Sequence, residues 1–216
     1  MLPFLHRWVT QRALRRRGFA PSVVHLVGET SRWTDWYRWS DNIANASTPL
    51  GPNGLPLDPD WAASACSALL RRYLARMEAS PLNEQLVWLG FALHLAEDLA
   101  SHQGRTDIEH TAQVFLIFPN PDWSLAGIRR GLTYGDRVLQ AISQRLGARF
   151  AELQIGSGGR LLTRAEADAL LGPRDFTWPN FWRTMLACRR YLRTPRHLRR
   201  VRWDCEQVLR NGLATS

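Results

Sequence analysis

"GFALHLAEDLASHQG", residues 90 to 104, decides how this chain of 216 residues folds. The segment is mostly apolar, yet His94, Asp98 and His102 interrupt it at intervals of four residues. Residues four apart share one face of an α-helix, and on a helical wheel these three fall within about 80° of one another. The other positions are apolar almost all round, apart from Glu97, which points away from this face. Such a helix is typical of the buried centre of a helical protein.

The charged side chains of this helix indicate a metal site. An ionised aspartate in an apolar interior is unfavourable by several kcal/mol unless it is paired or bound to a metal. Taken alone, His94 is explained as a core histidine bonded to a carbonyl, and His102 as a cap near the helix end. Together with His110, eight residues after His102, they favour metal binding.

The spacing leaves two arrangements open. His94 and His102 lie about 12 Å apart along an unbroken helix. Zinc–nitrogen bonds are about 2.0–2.1 Å long, so both rings on one ion would be strained. Either two ions are present with Asp98 between them, or the helix unwinds before Gly104.

Helical signals dominate the rest of the chain. "TPLGPNGLPLDPD", residues 48–60, is predicted to be a loop, and "TAQVFLIF", residues 111–118, is the one stretch typical of a strand. Thr163 and Glu166 have capping-box spacing. The predicted helices are 4–17, 22 to about 46, 61–79, 82–101, 124–147, 163–172 and 181–211, the last broken or kinked at Pro195. We therefore predict an all-α fold, a bundle of about six to eight helices around a central metal-binding helix.

The length fits a single all-α domain covering residues 1–216. We expect its core at about 1–150, a flexible joint at 156–160 ("GSGGR") and a basic helical part at about 161–216. The N-terminal 22 residues contain no continuous apolar run typical of a signal peptide and are predicted to form the first helix of the mature domain. No run of 18 apolar residues occurs, so no transmembrane segment is expected.

The charge pattern favours anionic partners. The formal net charge is +9, and all 28 basic residues are arginine, which binds phosphate and carboxylate through a planar fork. Either a GC-rich genome or selection for phosphate binding explains the absence of lysine. Cys66, Cys188 and Cys205 lack metal or disulfide spacing, which indicates a reducing compartment and predicts a cytoplasmic protein.

Several enzyme classes are excluded by missing motifs. The chain has no HExxH, no ExxH pair, no GxSxG and no P-loop pattern. These absences argue against zincins, ferritin-like di-iron proteins, α/β-hydrolases and P-loop nucleotide hydrolases.

"LHLAEDLASHQG", residues 93–104, resembles the His-x3-Asp-x3–5-His helix motif of the zinc-dependent phospholipase C and S1/P1 nuclease superfamily. It is similar to bacterial relatives with an LHxxQDxxSHxG pattern. Members of that superfamily are all-α and bind up to three metal ions, usually zinc, and its best-known enzymes hydrolyse phosphoesters. The resemblance covers about residues 4–140.

The resemblance implies further metal ligands. "HRWVTQRALRRRGFAPSVVHLVGETSRWTDW", which begins at residue 6, is similar to family N-termini in which a histidine and a later aspartate join the cluster. "EHT" followed by "FPNPDW" is similar to a later segment with a ligand histidine. The implied set is His6, Asp35, His94, Asp98, His102 and His110, which would hold one or two divalent ions, zinc or alternatively manganese or iron.

The chain also departs from the family pattern. Asn45 stands where some relatives carry a histidine, and the late His-x3-Glu/Asp ligand pair is not visible. The processed N-terminal tryptophan that serves secreted members as a ligand has no counterpart here. We expect fewer than three ions or a degenerate site.

The expected function is metal-dependent hydrolysis of an anionic phosphoester substrate. Asp98 would bridge the ions and Asp41 would act as general base. Three arginines would clamp the phosphate or are ordinary surface charges: Arg32, Arg38 and Arg105. Three tryptophans would wall a pocket or are ordinary core residues: Trp33, Trp36 and Trp39.

The alternative is a basic helical binding module whose metal site is structural or lost. Its arginines in "RRYLRTPRHLRRVR", residues 189–202, would contact nucleic acid or an anionic membrane surface.

Overall fold

A computed structural model describes residues 3–106, 108–110, 124–191 and 201–214, with the backbone alone for 189–191. Nine α-helices with described bounds and one parallel pair of short strands occur in these ranges, and residues 108–110 are also helical. The helices are α1 (Pro3–Arg16), α2 (Pro21–Tyr37), α3 (Pro59–Ala79), α4 (Leu82–His102), α5 (Leu125–Leu146), α6 (Arg149–Ile155), α7 (Arg164–Leu171), α8 (Trp178–Tyr191) and α9 (Cys205–Leu213); the strands are β1 (Ser47–Thr48) and β2 (Gly104–Thr106).

The predicted all-α class is confirmed. The described helices outnumber the expected six to eight, in part because α6 was not anticipated. None of the helices in the described ranges is long and apolar enough to cross a lipid bilayer. All three cysteines are free, and Cys66 and Cys188 are buried.

The predicted central helix is α4. Every residue from Leu86 to His102 is buried, and α4 packs against α1, α2, α3 and α5. Because neighbours surround it, its polar side chains cannot reach bulk water and must find partners inside the protein.

A glycine lets α2 approach α4 closely. A Cβ atom on Gly90 would lie 2.2 Å from Thr30 Oγ1 and 2.8 Å from the backbone nitrogen of Ser31. Thr30 instead fills this space and donates a hydrogen bond to the Leu86 carbonyl at 3.0 Å. The crossing places Asp35, about one turn beyond Ser31 along α2, beside α4.

The helix α4 continues through His102 without unwinding and ends at Gln103, which is left-handed with φ 55°. Gly104 follows with φ 74°, and its missing Cβ leaves room for the Trp203 ring, 2.2 Å from that position. Thr48 Oγ1 donates to the Gly104 carbonyl at 2.7 Å and accepts from Trp203 Nε1 at 3.0 Å. The helix therefore does not unwind before Gly104, which was one of the two arrangements that the His94–His102 spacing left open.

The C-terminal half is only partly described. The helix predicted over 181–211, with a break or kink at Pro195, corresponds to α8 and α9, and the described residues 201–204 before α9 are not helical. Residues 192–200, which include Pro195, and the predicted strand 111–118 lie outside the described residues. The 156–160 segment is a packed turn, since a Cβ on Gly156 would lie 2.2 Å from a Val23 methyl group. The division into core, joint and basic part stays a prediction.

Candidate metal centre

Asp98 lies among three histidines whose Nε2 atoms face its carboxylate. His6 Nε2 is 3.0 Å from Oδ1, and His94 Nε2 is 3.0 Å from Oδ2. His102 Nε2 is 3.2 Å from Oδ1. None of the four residues is more than 3% exposed. The structure thus joins a histidine of α1 to the predicted stripe of α4, with Asp98 between the α4 imidazoles.

Glu97 holds the histidine from α1. His6 Nδ1 lies 2.7 Å from Glu97 Oε2, and the Thr10 hydroxyl, one turn along α1, donates to Oε1 at 2.6 Å. The helical wheel predicts correctly that Glu97 points away from the Asp98 face, but it does not predict the contact between Glu97 and His6. The sequence does carry one signal for such a contact: an acidic residue on a helix that is apolar almost all round needs a partner inside the protein.

Burial and neighbouring charges set the protonation of this cluster. Burial, and after it the nearby His94 ring, lowers the pKa of His6 to about 3. Burial alone would raise the pKa of Asp98, but the surrounding imidazoles, His102 foremost, outweigh it and hold that pKa well below its usual range. Burial raises the pKa of Glu97 well above its usual range, although the Thr10 hydroxyl opposes the shift. Burial thus disfavours a proton on His6, whereas positive charge beside Asp98, on an imidazole or a bound cation, favours the ionised carboxylate.

The hydrogen bonds at Nδ1 orient two of these rings. His102 Nδ1 lies 2.5 Å from the carbonyl oxygen of Asn45. Because a carbonyl only accepts, the hydrogen of a neutral His102 ring is on Nδ1 and the lone pair is on Nε2. The Glu97 carboxylate plays the same part for His6. This is the outer-shell arrangement by which proteins orient metal-ligating histidines.

The nitrogen atoms that face Asp98 fit a cation. The Nε2 atoms of His6 and His94 make no hydrogen bond, although each is 3.0 Å from an Asp98 oxygen. Ligand atoms from His6, His94 and Asp98 all lie within 4.8 Å of one another. Two imidazoles and a carboxylate suit zinc, manganese or iron, and three protein ligands leave a position for water, as in catalytic zinc sites.

The remaining predicted ligands lie at the edges of this triad. Asp35 Oδ1 is 4.0 Å from His94 Nε2, and the Asp35 side chain is 14% exposed. His110 is buried, with its ring centroid 3.7 Å from that of His102. The fold therefore brings all six predicted ligands into one region, while a ligand role for Asp35, His102 and His110 stays a prediction.

Asn45 contributes through its backbone. Its side-chain nitrogen donates to the carbonyls of Arg38, Trp39 and Asp41 at 2.9, 3.3 and 3.0 Å, which fixes the turn between α2 and β1. Ala46 follows with φ 46°, a left-handed conformation that is strained for alanine. This turn aims the Asn45 carbonyl at His102, so the Asn45 backbone orients a ligand candidate.

Asp41 has a structural task in the same turn. It is exposed, and its Oδ1 accepts the backbone N–H groups of Ile43 and Ala44 at 3.1 Å each. Its role as general base stays a prediction.

The predicted phosphate-binding arginines have protein partners. Arg32 lies 3.2 Å from a Glu29 oxygen and stacks over the Trp36 ring at 4.9 Å. Arg38 donates to two backbone carbonyls. Arg105 lies in β2 and is partly buried. For Arg32 and Arg38 these contacts favour the structural interpretation.

The three tryptophans predicted to line a pocket lie in different surroundings. Trp33 is buried in the core, and Trp36 is partly buried between two guanidinium groups, each 4.9 Å from its ring. Trp39 packs edge-on against Phe176 at 5.1 Å. Trp33 thus takes the core role that was one of the two expectations.

Comparisons with known proteins do not identify the chain: no protein-family model, no curated protein and no solved structure matches it.

Proposed function

We propose that this protein is a metal-dependent hydrolase whose divalent ion is held by His6, His94 and Asp98. The observation that carries the proposal is the pair of buried Nε2 atoms, each 3.0 Å from an Asp98 oxygen without a hydrogen bond. An ionised carboxylate against imidazole lone pairs is repulsive unless a proton or a metal ion lies among them. Because burial opposes protonation of His6, a metal ion is favoured.

Such an ion would polarise the ester and lower the pKa of a bound water. The chain supplies the surroundings for this chemistry. Asp98 provides the negative charge, and Glu97 accepts the Nδ1 hydrogen of His6 and so keeps its Nε2 directed inward. Asp35 is more exposed than the triad and lies 4.0 Å from His94 Nε2, which positions it to accept a proton from water. We favour Asp35 over Asp41 for this step because Asp35 lies beside His94, whereas Asp41 is exposed in the turn between α2 and β1.

A phosphoester is the proposed substrate class. Two features support it: the resemblance of residues 93–104 to the phospholipase C and S1/P1 nuclease motif, and the net charge of +9, which attracts anionic substrates.

Elemental analysis of the purified protein tests the metal centre. The native chain should contain about one zinc, manganese or iron ion, and Asp98→Asn should lose it. Glu84→Gln, which removes a carboxylate from the first turn of the same helix, should retain it. A chelator should abolish hydrolysis of bis-p-nitrophenyl phosphate, and returning the metal should restore it. His94→Gln provides a second test if Asp98→Asn does not fold.

The possible results separate the two parts of the proposal. A native chain that takes up no metal even after incubation with zinc, manganese or iron salts would overturn the metal centre. A metal-loaded chain that hydrolyses no phosphate mono- or diester would keep the centre and reject the phosphoester reaction.

A further inference from the structure

The helix α8 exposes large apolar side chains along one stripe. Trp178, Trp182 and Leu186 are 67%, 61% and 63% exposed. They lie four residues apart and therefore share one face of the helix. Contiguous exposed apolar surface of this kind marks an interaction site more often than scattered single residues do.

The stripe is part of an ordered aromatic patch. Phe181 contacts the rings of Trp178 and Trp182 edge-on, with centroids 5.7 and 5.5 Å apart. The first turn of α8 is fixed by Thr177, whose hydroxyl accepts the Asn180 backbone N–H at 3.3 Å. On another face Cys188 is buried, and its Sγ lies 3.7 Å from the Ile108 carbonyl. One side of α8 therefore packs against the protein, and Trp178 and Trp182 are exposed on the other side.

The sequence of α8 and of the residues that follow it is strongly basic. Residues 176–203 contain eight arginines and no aspartate or glutamate. Arg183 is exposed on α8 itself, and the sequence continues with Arg189 and Arg190 in the same helix. Two acids lie nearby: Asp175 accepts from Asn180 in the first turn of α8, and Glu109 lies 3.4 Å from Arg202. Arginines outnumber them, so the exposed aromatic and aliphatic stripe belongs to a basic segment and complements a surface with an apolar interior and anionic headgroups.

We infer that this face of α8 docks on a lipid bilayer containing anionic phospholipids. Tryptophan rings favour the headgroup level of a bilayer, leucine reaches the acyl boundary, and arginine binds lipid phosphates. A second copy of the chain fits less well, because a symmetric contact would bring two arginine-rich segments together. Nucleic acid fits less well because Leu186 has no ring on which a base would stack. The inference is independent of the metal centre.

Vesicle sedimentation with the full chain tests the inference. The native protein should bind vesicles of phosphatidylcholine with phosphatidylglycerol, bind weakly to phosphatidylcholine alone, and release as salt is raised. The Trp178→Ala/Trp182→Ala double variant should bind about tenfold more weakly or worse. Trp61→Ala is the matched control, because Trp61 is also exposed, at 52%, but lies in the acidic first turn of α3. Circular dichroism checks that both variants fold.

Three results would overturn the inference. The first is a double variant that binds anionic vesicles as tightly as the native chain does, and the second is a native chain that binds no vesicle at all. A loss of self-association or of oligonucleotide binding in the double variant, with no vesicle binding by the native chain, would assign the face to a second copy or to nucleic acid instead.

Discussion

Glu97 in α4 and Glu166 in α7 each accept a hydrogen bond from a threonine hydroxyl, yet their pKa values shift in opposite directions. Burial raises the pKa of Glu97, whereas Arg160 and Thr163 lower the pKa of the exposed Glu166 to about 2. Burial therefore governs the pKa of Glu97, whereas hydrogen bonds from Arg160 and Thr163 govern the pKa of Glu166.

The two helices also differ in the distance along the chain to their partners. Glu166 bonds to residues three and six positions away, within one turn and its approach. Glu97 bonds to Thr10 and His6, which are 87 and 91 positions away. Local sequence rules thus govern α7, and tertiary packing governs α4. Substitutions at long-range contacts of α4 should accordingly have the larger effects.

The largest effect on stability is expected from Gly90→Ala. The added methyl group would lie 2.2 Å from Thr30 Oγ1 and 2.8 Å from the Ser31 backbone, so α2 and α4 must separate. We expect the free energy of unfolding to fall by about 2–3 kcal/mol, measured by urea denaturation. Hydrolysis should weaken as well, because α2 carries Asp35, the proposed proton acceptor.

Gly135→Ala is the matched control in α5. Its Cβ would meet only ordinary contacts, at 3.6 Å from Ala13 and 3.7 Å from Leu93. Alanine is favoured over glycine inside a helix by about 0.5–1 kcal/mol, so this variant should be neutral or slightly stabilised. Equal effects of the two substitutions would show that the α2–α4 crossing is not tightly constrained.

A smaller effect, confined to metal binding, is expected from Glu97→Gln. Glutamine has one oxygen where glutamate has two, so it cannot accept from both His6 Nδ1 and the Thr10 hydroxyl. Loss of such an outer-shell partner lowers metal affinity by about 10- to 100-fold. Competition with a fluorescent chelator measures the change, and Glu166→Gln should leave the affinity unaltered. An unchanged affinity for Glu97→Gln would place Glu97 outside the metal centre.

The same contrast explains which features were predictable. The capping box of Thr163 and Glu166 is a local pattern, and the structure confirms it. The burial of α4 follows from its apolar periodicity and is also confirmed. The Glu97–His6 contact could not be derived, because no periodicity specifies which face of α1 meets α4. Likewise, the contact of the Asn45 carbonyl with His102 depends on a turn whose left-handed residue is an alanine, which carries no turn signal.

The smallest effect is expected from Glu166→Gln, at the exposed glutamate of α7. Glu166 has a pKa of about 2 in the folded protein and an ordinary value of 4.5. Because the folded pKa is the lower one, ionised Glu166 stabilises the fold above about pH 4.5, and this contribution is lost as the pH falls toward 2. Glu166→Gln should therefore flatten the dependence of Tm on pH in that window, slightly at low salt and less at high salt, since exposed ion pairs are screened. Thermal melts of both proteins with a chelator present keep metal release out of the measurement. Identical slopes would mean that Arg160 and Thr163 do not hold Glu166 ionised in solution, and the contrast with Glu97 would then rest on burial alone.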